Sequence, residues 1–532
     1  MDRLSLEQPF GVISLAFPKR RTAGILLPLF SVRGDRSWGV GEFPDVAALA
    51  PWLREAGLSS WMMLPLIEAA IGQDSPYSAL SAFALDPIYV SLGELEDFAA
   101  LGGEAALSPD EREALSVARA RPTVEYAPVR ALKNRWLRRS FERFSETEDA
   151  ASSRVRDLAR FRDESPWLAD YTLFRALKED HALDWWKGWE PPLRDRDPRA
   201  LEEARARLAR ECAYFEYVQW IAYRQLEAAR REARVRGVLL AGDLPFMVAE
   251  DSADVWAGQD LFRLDATVGV PPDAYSAEGQ DWGLPVYRWD VLAASDYGWL
   301  RERGMQSAQL FDLVRIDHVV GFYRTYARPR DGATPYFIPA DEAAQRQQGE
   351  AVLAALGSAG VDLVAEDLGT VPPFVRKSLA ARGVPGYRVL RWEKDGDVFR
   401  DPRAWPRASL ATTGTHDTEP LATWWDALPD HERHEARKIP ALAHLRDDEA
   451  ATFCPAVHDA LLRAVYGSGS DLLVLPVQDL FGSRERINLP GTVGPHNWSS
   501  RLPWTVSQLA ADPFVRARAE SLRRLAIESN RT

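Results

Sequence analysis

The sequence is short of cysteine, of long apolar runs and of clustered positive charge, and each shortage removes a class of protein. Only two cysteines, Cys212 and Cys454, occur in 532 residues. That is too few for a disulfide framework or a cysteine-based zinc site, and both are expected to be plain core residues. No apolar stretch reaches the roughly 18 residues that cross a bilayer. The opening MDRLSLEQPFGVISLAFPKRR has no uninterrupted apolar region followed by a small-residue cleavage site. A cytoplasmic protein without a membrane partner is expected. The formal net charge is −13 and Lys and Arg are concentrated nowhere. Phosphate neutralisation needs such clusters, so a nucleic-acid partner is not expected and an uncharged substrate fits better.

What is present is a globular composition, 46% hydrophobic and 27% charged, with no low-complexity tract. Residues 1–532 are expected to form one compact globule. The outlier is the aromatic content, 19 Trp beside 15 Tyr and 21 Phe. Aromatic faces pack on the apolar faces of sugars, but they also fill cores, so the count alone decides nothing.

Short apolar runs recur along the chain, most followed by a turn signal and a helix-like segment. They are GILLPLF (24–30), SWMMLPL (60–66), GVLLAGDLPF (237–246), DLVRIDH (312–318), VDLVAEDLG (361–369), GYRVLRW (386–392), SLATTGTHD (409–417) and DLLVLPVQD (471–479). Runs of this kind predict parallel strands covered on both faces, and their number predicts a closed (β/α)8 barrel of the α/β class. Uneven spacing locates two insertions. Residues 90–236 read as a helical layer ending in the helix that feeds the third strand. Residues 247–300 contain GVPPDAYSAEGQDWGLP, a Gly-, Pro- and aromatic-rich stretch that predicts a lid-like loop over the barrel mouth.

The run LVRIDHVVGF (313–322) carries charge inside an apolar pattern. Strand alternation puts Arg315 and Asp317 on one face and Val314 and Ile316 on the other. The charged face then looks along the barrel axis at the strand's C-terminal end, where this architecture opens its active site. Asp243, Glu366 and Asp417 follow the same rule on three further runs, with Val364 sharing the Glu366 face and Thr415 that of Asp417. A single strand-end carboxylate is more often a cap or a turn residue. Several at matching positions suggest glycoside chemistry, in which one carboxylate attacks the anomeric carbon and a protonated one serves the leaving oxygen. Arg315 beside Asp317 favours the ionised form there, and Glu366 among aspartates is placed to keep its proton. Metal hydrolysis using His318, His416, Asp417 and Asp243 is disfavoured, because the first run supplies no ligands.

Seven stretches carry a more specific resemblance: QDSPYSALSAFALDP (73–87), GDLPFMVAEDSADVW (242–256), GVPPDAYSAEGQDWG (269–283), LVRIDHVVGF, LVAEDLGTVPP (363–373), GTHDT (414–418) and RINLPGTVGPHNW (486–498). In these the chain resembles the 4-α-glucanotransferases, or amylomaltases, of glycoside hydrolase family 77 in the α-amylase clan, from about residue 21 to about 505. The resemblance implies transfer of α-1,4-glucan segments between maltooligosaccharides by a retaining double displacement, without metal or organic cofactor. It implies Asp317 as nucleophile, Glu366 as general acid/base and Asp417 as transition-state stabiliser. It places Tyr77, Asp243, Arg315 and His416 around the same glucosyl unit, Tyr275 and Trp282 on the lid, and Ser75 and Asn488 among the substrate-binding residues. A hydrolase on the same scaffold and a catalytically silent glucan-binding protein are the alternatives. The chain departs from the family pattern at Leu284 in Trp-Gly-Leu-Pro, at Leu85-Asp86, and at Ser500 in NWSSR.

Overall fold

The computed structural model describes residues 20–149, 151–272 and 279–532. Eight parallel strands close into a barrel: β1 (Thr22–Leu26), β2 (Ser60–Met62), β3 (Leu239–Leu244), β4 (Leu313–Ile316), β5 (Asp362–Ala365), β6 (Gly386–Val389), β7 (Ser409–Thr412) and β8 (Leu472–Pro476). Each strand hydrogen-bonds its sequence neighbours, and β8 closes on β1. Every one of the apolar runs supplies one strand. The strands are short, three to six residues each.

The register fixes which polar groups meet. Asp243 of β3 lies level with Arg315 of β4, and Arg315 lies level with Val364 of β5. Neighbours at one level of a parallel pair point to the same side, so Asp243 and Arg315 share the barrel interior. Continuing the β4–β5 register by two residues sets Asp317 beside Glu366, just beyond both strand ends.

Between β2 and β3 the chain forms the expected helices, among them Tyr126–Thr147, Leu168–Asp180 and Ala209–Val235, the last leading directly into β3. Their polar side chains hold the excursion that follows β2. Gln219 pairs with both the N–H and the carbonyl of Leu85, at 2.8 Å each. Arg130 forks onto the carboxylate of Asp86 at 2.6 and 2.7 Å, and Tyr171 donates to Glu68 at 2.6 Å. The Leu85-Asp86 departure therefore has a local use, since Asp86 is the anchor that the helical layer grips.

The region after β3 differs from the loop the sequence predicts. Strand Phe262–Val270 pairs antiparallel with Gln280–Tyr287, and on its other edge with Thr325–Pro329, which pairs in turn with Tyr336–Ile338. This outer sheet joins chain from after β3 to chain from after β4, a pairing no local pattern announces. Leu284 sits in it opposite Val268. Cys212 and Cys454 are also displaced from expectation, lying partly buried at the edge of the core. Among the described residues no helix is long and apolar enough to cross a membrane.

Candidate active site

Arg315 organises the barrel mouth. Its side chain is 6% exposed, and Nη1 donates to both carboxylate oxygens of Asp243 at 2.7 Å. The same nitrogen lies 3.1 Å from Asp317 Oδ1, and Nη2 lies 3.8 Å from Glu366 Oε2. One buried cation thus touches three carboxylates that come from three strands. A buried guanidinium is tolerated only with such compensation. Leu26, Met62, Tyr387, Leu410 and Val474 line the cavity below, so the polar groups stand on an apolar floor.

Glu366 follows β5 directly, and its side chain is 17% exposed. Its Oε2 accepts the backbone N–H of His318 at 2.7 Å. Burial, opposed by Arg315 and reinforced by the Asp317 and Asp417 charges, pushes its carboxyl up to about 8. A carboxyl in that range holds its proton at neutral pH, as a proton donor must.

Asp417 arrives differently from the strand alternation expected of it. β7 ends at Thr412, and a tight turn carries the chain on. Thr412 Oγ1 donates to the Gly414 carbonyl, Thr418 Oγ1 accepts from Thr415 N, and Thr415 Oγ1 accepts from Asp417 N. Hydroxyl side chains thereby replace the sheet in aiming Asp417, as Ser and Thr do in turns. Asn488 donates to Asp417 Oδ1 at 2.6 Å, and His416 Nε2 lies 3.3 Å from Oδ2. Burial pushes this carboxylate up, but His416 and the Asn488 hydrogen bond outweigh it and hold it at about 2. Glu366 and Asp417 therefore hold opposite protonation states at neutral pH.

Tyr77 donates its hydroxyl to Asp243 Oδ2 at 2.7 Å, and its ring stacks on His416 with centroids 5.2 Å apart at 17°. Ser75 Oγ accepts from Tyr77 N at 3.3 Å and sets the turn that presents the ring. Trp282, on the outer sheet, meets the His318 ring edge-on at 4.8 Å. Tyr275 falls outside the described residues. The remaining predicted site residues gather at the mouth.

Two contributors escape the sequence reading. Trp498 packs against both Tyr77 and His416, at 5.8 Å from each ring, with a backbone φ of 59°. It closes the RINLPGTVGPHNW stretch, but nothing local signals its left-handed backbone. Tyr387 of β6 faces the barrel interior beside Arg315, which alternation along GYRVLRW could have revealed. Ser500, two residues past Trp498, is buried with its hydroxyl unpaired and contributes nothing visible to the mouth. Among the described residues no group of three or more His, Cys, Asp or Glu is arranged to hold a metal ion.

Residues 27–507 match the family model described as 4-alpha-glucanotransferase. The 4-alpha-glucanotransferase of Thermus thermophilus is 35% identical over 95% of this chain and 99% of its own. That of Chlamydia pneumoniae is 32% identical over 92% of each chain. Among solved structures, the amylomaltase of Streptococcus agalactiae in complex with acarbose superposes with a TM-score of 0.83 at 27% identity, over 96% of this chain and 100% of that one.

Proposed function

The chain belongs to the 4-alpha-glucanotransferase family, and on that premise we propose how its mouth divides the work of moving an α-1,4-glucan segment from donor to acceptor. Asp317 attacks the anomeric carbon of the donor. Glu366 gives its proton to the glycosidic oxygen, so the leaving chain departs as a neutral alcohol. A covalent glycosyl-enzyme on Asp317 results, with inversion at that carbon. Glu366, now ionised, takes the proton from the 4-hydroxyl of the acceptor glucan, which displaces Asp317 with a second inversion. The α-configuration is retained.

Arg315 serves both stages, lying against Asp317 before attack and near the Glu366 carboxylate after proton transfer. Asp417, low in pKa and fixed by Asn488 and His416, suits an acceptor of sugar hydroxyl hydrogen bonds as positive charge grows on the ring. Tyr77 offers its face to the same sugar, and Asp243 and Ser75 hold that ring and Arg315 in place. Trp282 is an aromatic surface for the chain on the far side of the scissile bond. Maltooligosaccharides and longer α-1,4-glucans are the substrates of this reading.

The single observation that carries it is the guanidinium of Arg315 touching Asp243, Asp317 and Glu366 at once, with Glu366 held near 8. Incubation with pure maltotriose tests it. Glucose together with maltopentaose and longer products is expected, and a product mixture containing only shorter sugars would replace transfer by hydrolysis.

A further inference from the structure

His318 stands between the proposed nucleophile and the proposed proton donor, yet the mechanism above gives it no task. Its backbone is left-handed, with a φ of 44°. For a residue with a Cβ that conformation is sterically unfavourable, and it persists only where the surroundings enforce it. The surroundings here are specific. The imidazole lies edge-on to Phe246 at 5.7 Å and to Trp282 at 4.8 Å. Gly321 passes so close that a Cβ on it would lie 2.7 Å from His318 Cδ2 and 2.8 Å from Phe246 Cζ. The ring is thus wedged between the chain after β3, the outer sheet and the short helix Val319–Tyr323. Burial pushes the imidazole down to about 4, so the wedge is an uncharged ring at neutral pH.

The consequence falls on the backbone. In this conformation the His318 N–H points at Glu366 Oε2, 2.7 Å away. The same two loops are also tied by Glu366 N donating to the Ile316 carbonyl and Val319 N donating to the Glu366 carbonyl. We propose that His318 is a positioning residue for the proton donor: its wedged ring enforces the left-handed turn that aims its N–H at Glu366. The inference rests on the role given to Glu366 above. It also ties the acid to Trp282 and so to the outer sheet.

The groups facing Glu366 are Arg315 and Asp317 from β4 and its end, Asp417 from the turn after β7, and Tyr387 from β6. Substituting residue 318 leaves the chemical identity of all four unchanged. A hydrogen bond to the carboxylate favours the ionised form, so its loss moves Glu366 to higher pH. Glycine adopts φ > 0 freely whereas alanine does not. His318→Ala should let the peptide turn away, and His318→Gly should keep the N–H in place while leaving a larger hole.

The test is the pH profile of kcat/KM for maltotriose disproportionation in wild type, His318→Ala and His318→Gly. For His318→Ala the alkaline limb is expected to move up by about one pH unit, the size of a lost hydrogen bond to a charged group. For His318→Gly it is expected to stay near the wild-type position despite lower thermal stability. Equal movement in both variants, or none in either, overturns the proposal. Trp282→Leu, which loosens the wedge without altering residue 318, covers the case in which His318→Ala does not fold. It should move the limb in the same direction by a smaller amount, and an unmoved limb there also overturns the proposal. Absence of disproportionation in the wild type would instead remove the transfer reading itself.

Discussion

Arg315 spends one nitrogen on two partners, donating to both oxygens of Asp243 at 2.7 Å while lying 3.1 Å from Asp317 Oδ1. The Asp243 side chain is fully buried, so this contact is the anchor of the guanidinium and not a substitute for substrate. Lysine cannot reproduce the planar fork that reaches Asp243, Asp317 and Glu366 together. Arg315→Lys keeps the charge but not the fork, and is expected to lower kcat/KM by about 100-fold, the usual effect of displacing catalytic groups by about 1 Å. Steady-state kinetics on maltotriose will measure it.

Glu366 is held up to about 8 by burial and the neighbouring carboxylates, with Arg315 opposing. In the role proposed for it, Glu366 acts only while protonated, so kcat/KM should fall as pH rises through about 8. Asp417, held at about 2, stays ionised far below neutrality and should leave no mark on the acid side above that value. A profile that stays flat up to pH 10 would contradict the assignment.

Glu366→Gln removes the proposed proton donor and base together. Turnover of maltooligosaccharides should drop about 100- to 10,000-fold, the usual worth of a positioned acid and base. A donor with an activated leaving group needs no protonation, so its glycosyl-enzyme should still form and be visible by mass spectrometry on Asp317. Added azide, a nucleophile that needs no base, should restore release as the α-glycosyl azide.

Tyr77→Phe keeps the ring against His416 and deletes the hydroxyl that donates to Asp243 at 2.7 Å. A loss of about tenfold in kcat/KM is expected, one hydrogen bond to a charged group. Tyr77→Ala, which also removes the platform, should lose more and raise KM. Equal losses in the two variants would mean that the ring face takes no part in holding the sugar.

At the opposite end of the barrel, fully buried Arg531 donates to the carbonyls of Tyr466, Thr22, Asp471, Ser468 and Ser470. The Thr22 carbonyl opens β1 and the others lie before β8, and the Ser468 carbonyl also accepts from Arg21. Arg531→Ala is expected to reduce unfolding free energy by about 3 kcal/mol, because five carbonyls lose a buried charged donor. Calorimetry should register a lower Tm, while kcat/KM at moderate temperature stays unchanged because the mouth is not involved.

The sequence by itself determined the eight strands, the helical layer before β3 and the identity of the mouth carboxylates. Each of these is written in a local signal: apolar runs that stop at a polar residue, helical spacing, and alternation that sets Arg315 and Asp317 on one face. Only the tertiary structure decided what those groups touch. Tyr77 meets Asp243 across 166 positions and Asn488 meets Asp417 across 71, contacts created by barrel register and loop packing that no neighbouring residue encodes. The outer sheet is of the same kind, because its strands come from either side of β4 and recognise each other only after the barrel has brought them together. Asp417 is aimed by threonine hydroxyls in a turn, and His318 and Trp498 hold left-handed backbones that their sequences do not favour. Such conformations exist because packing around them outweighs local preference, and packing is a property of the folded molecule.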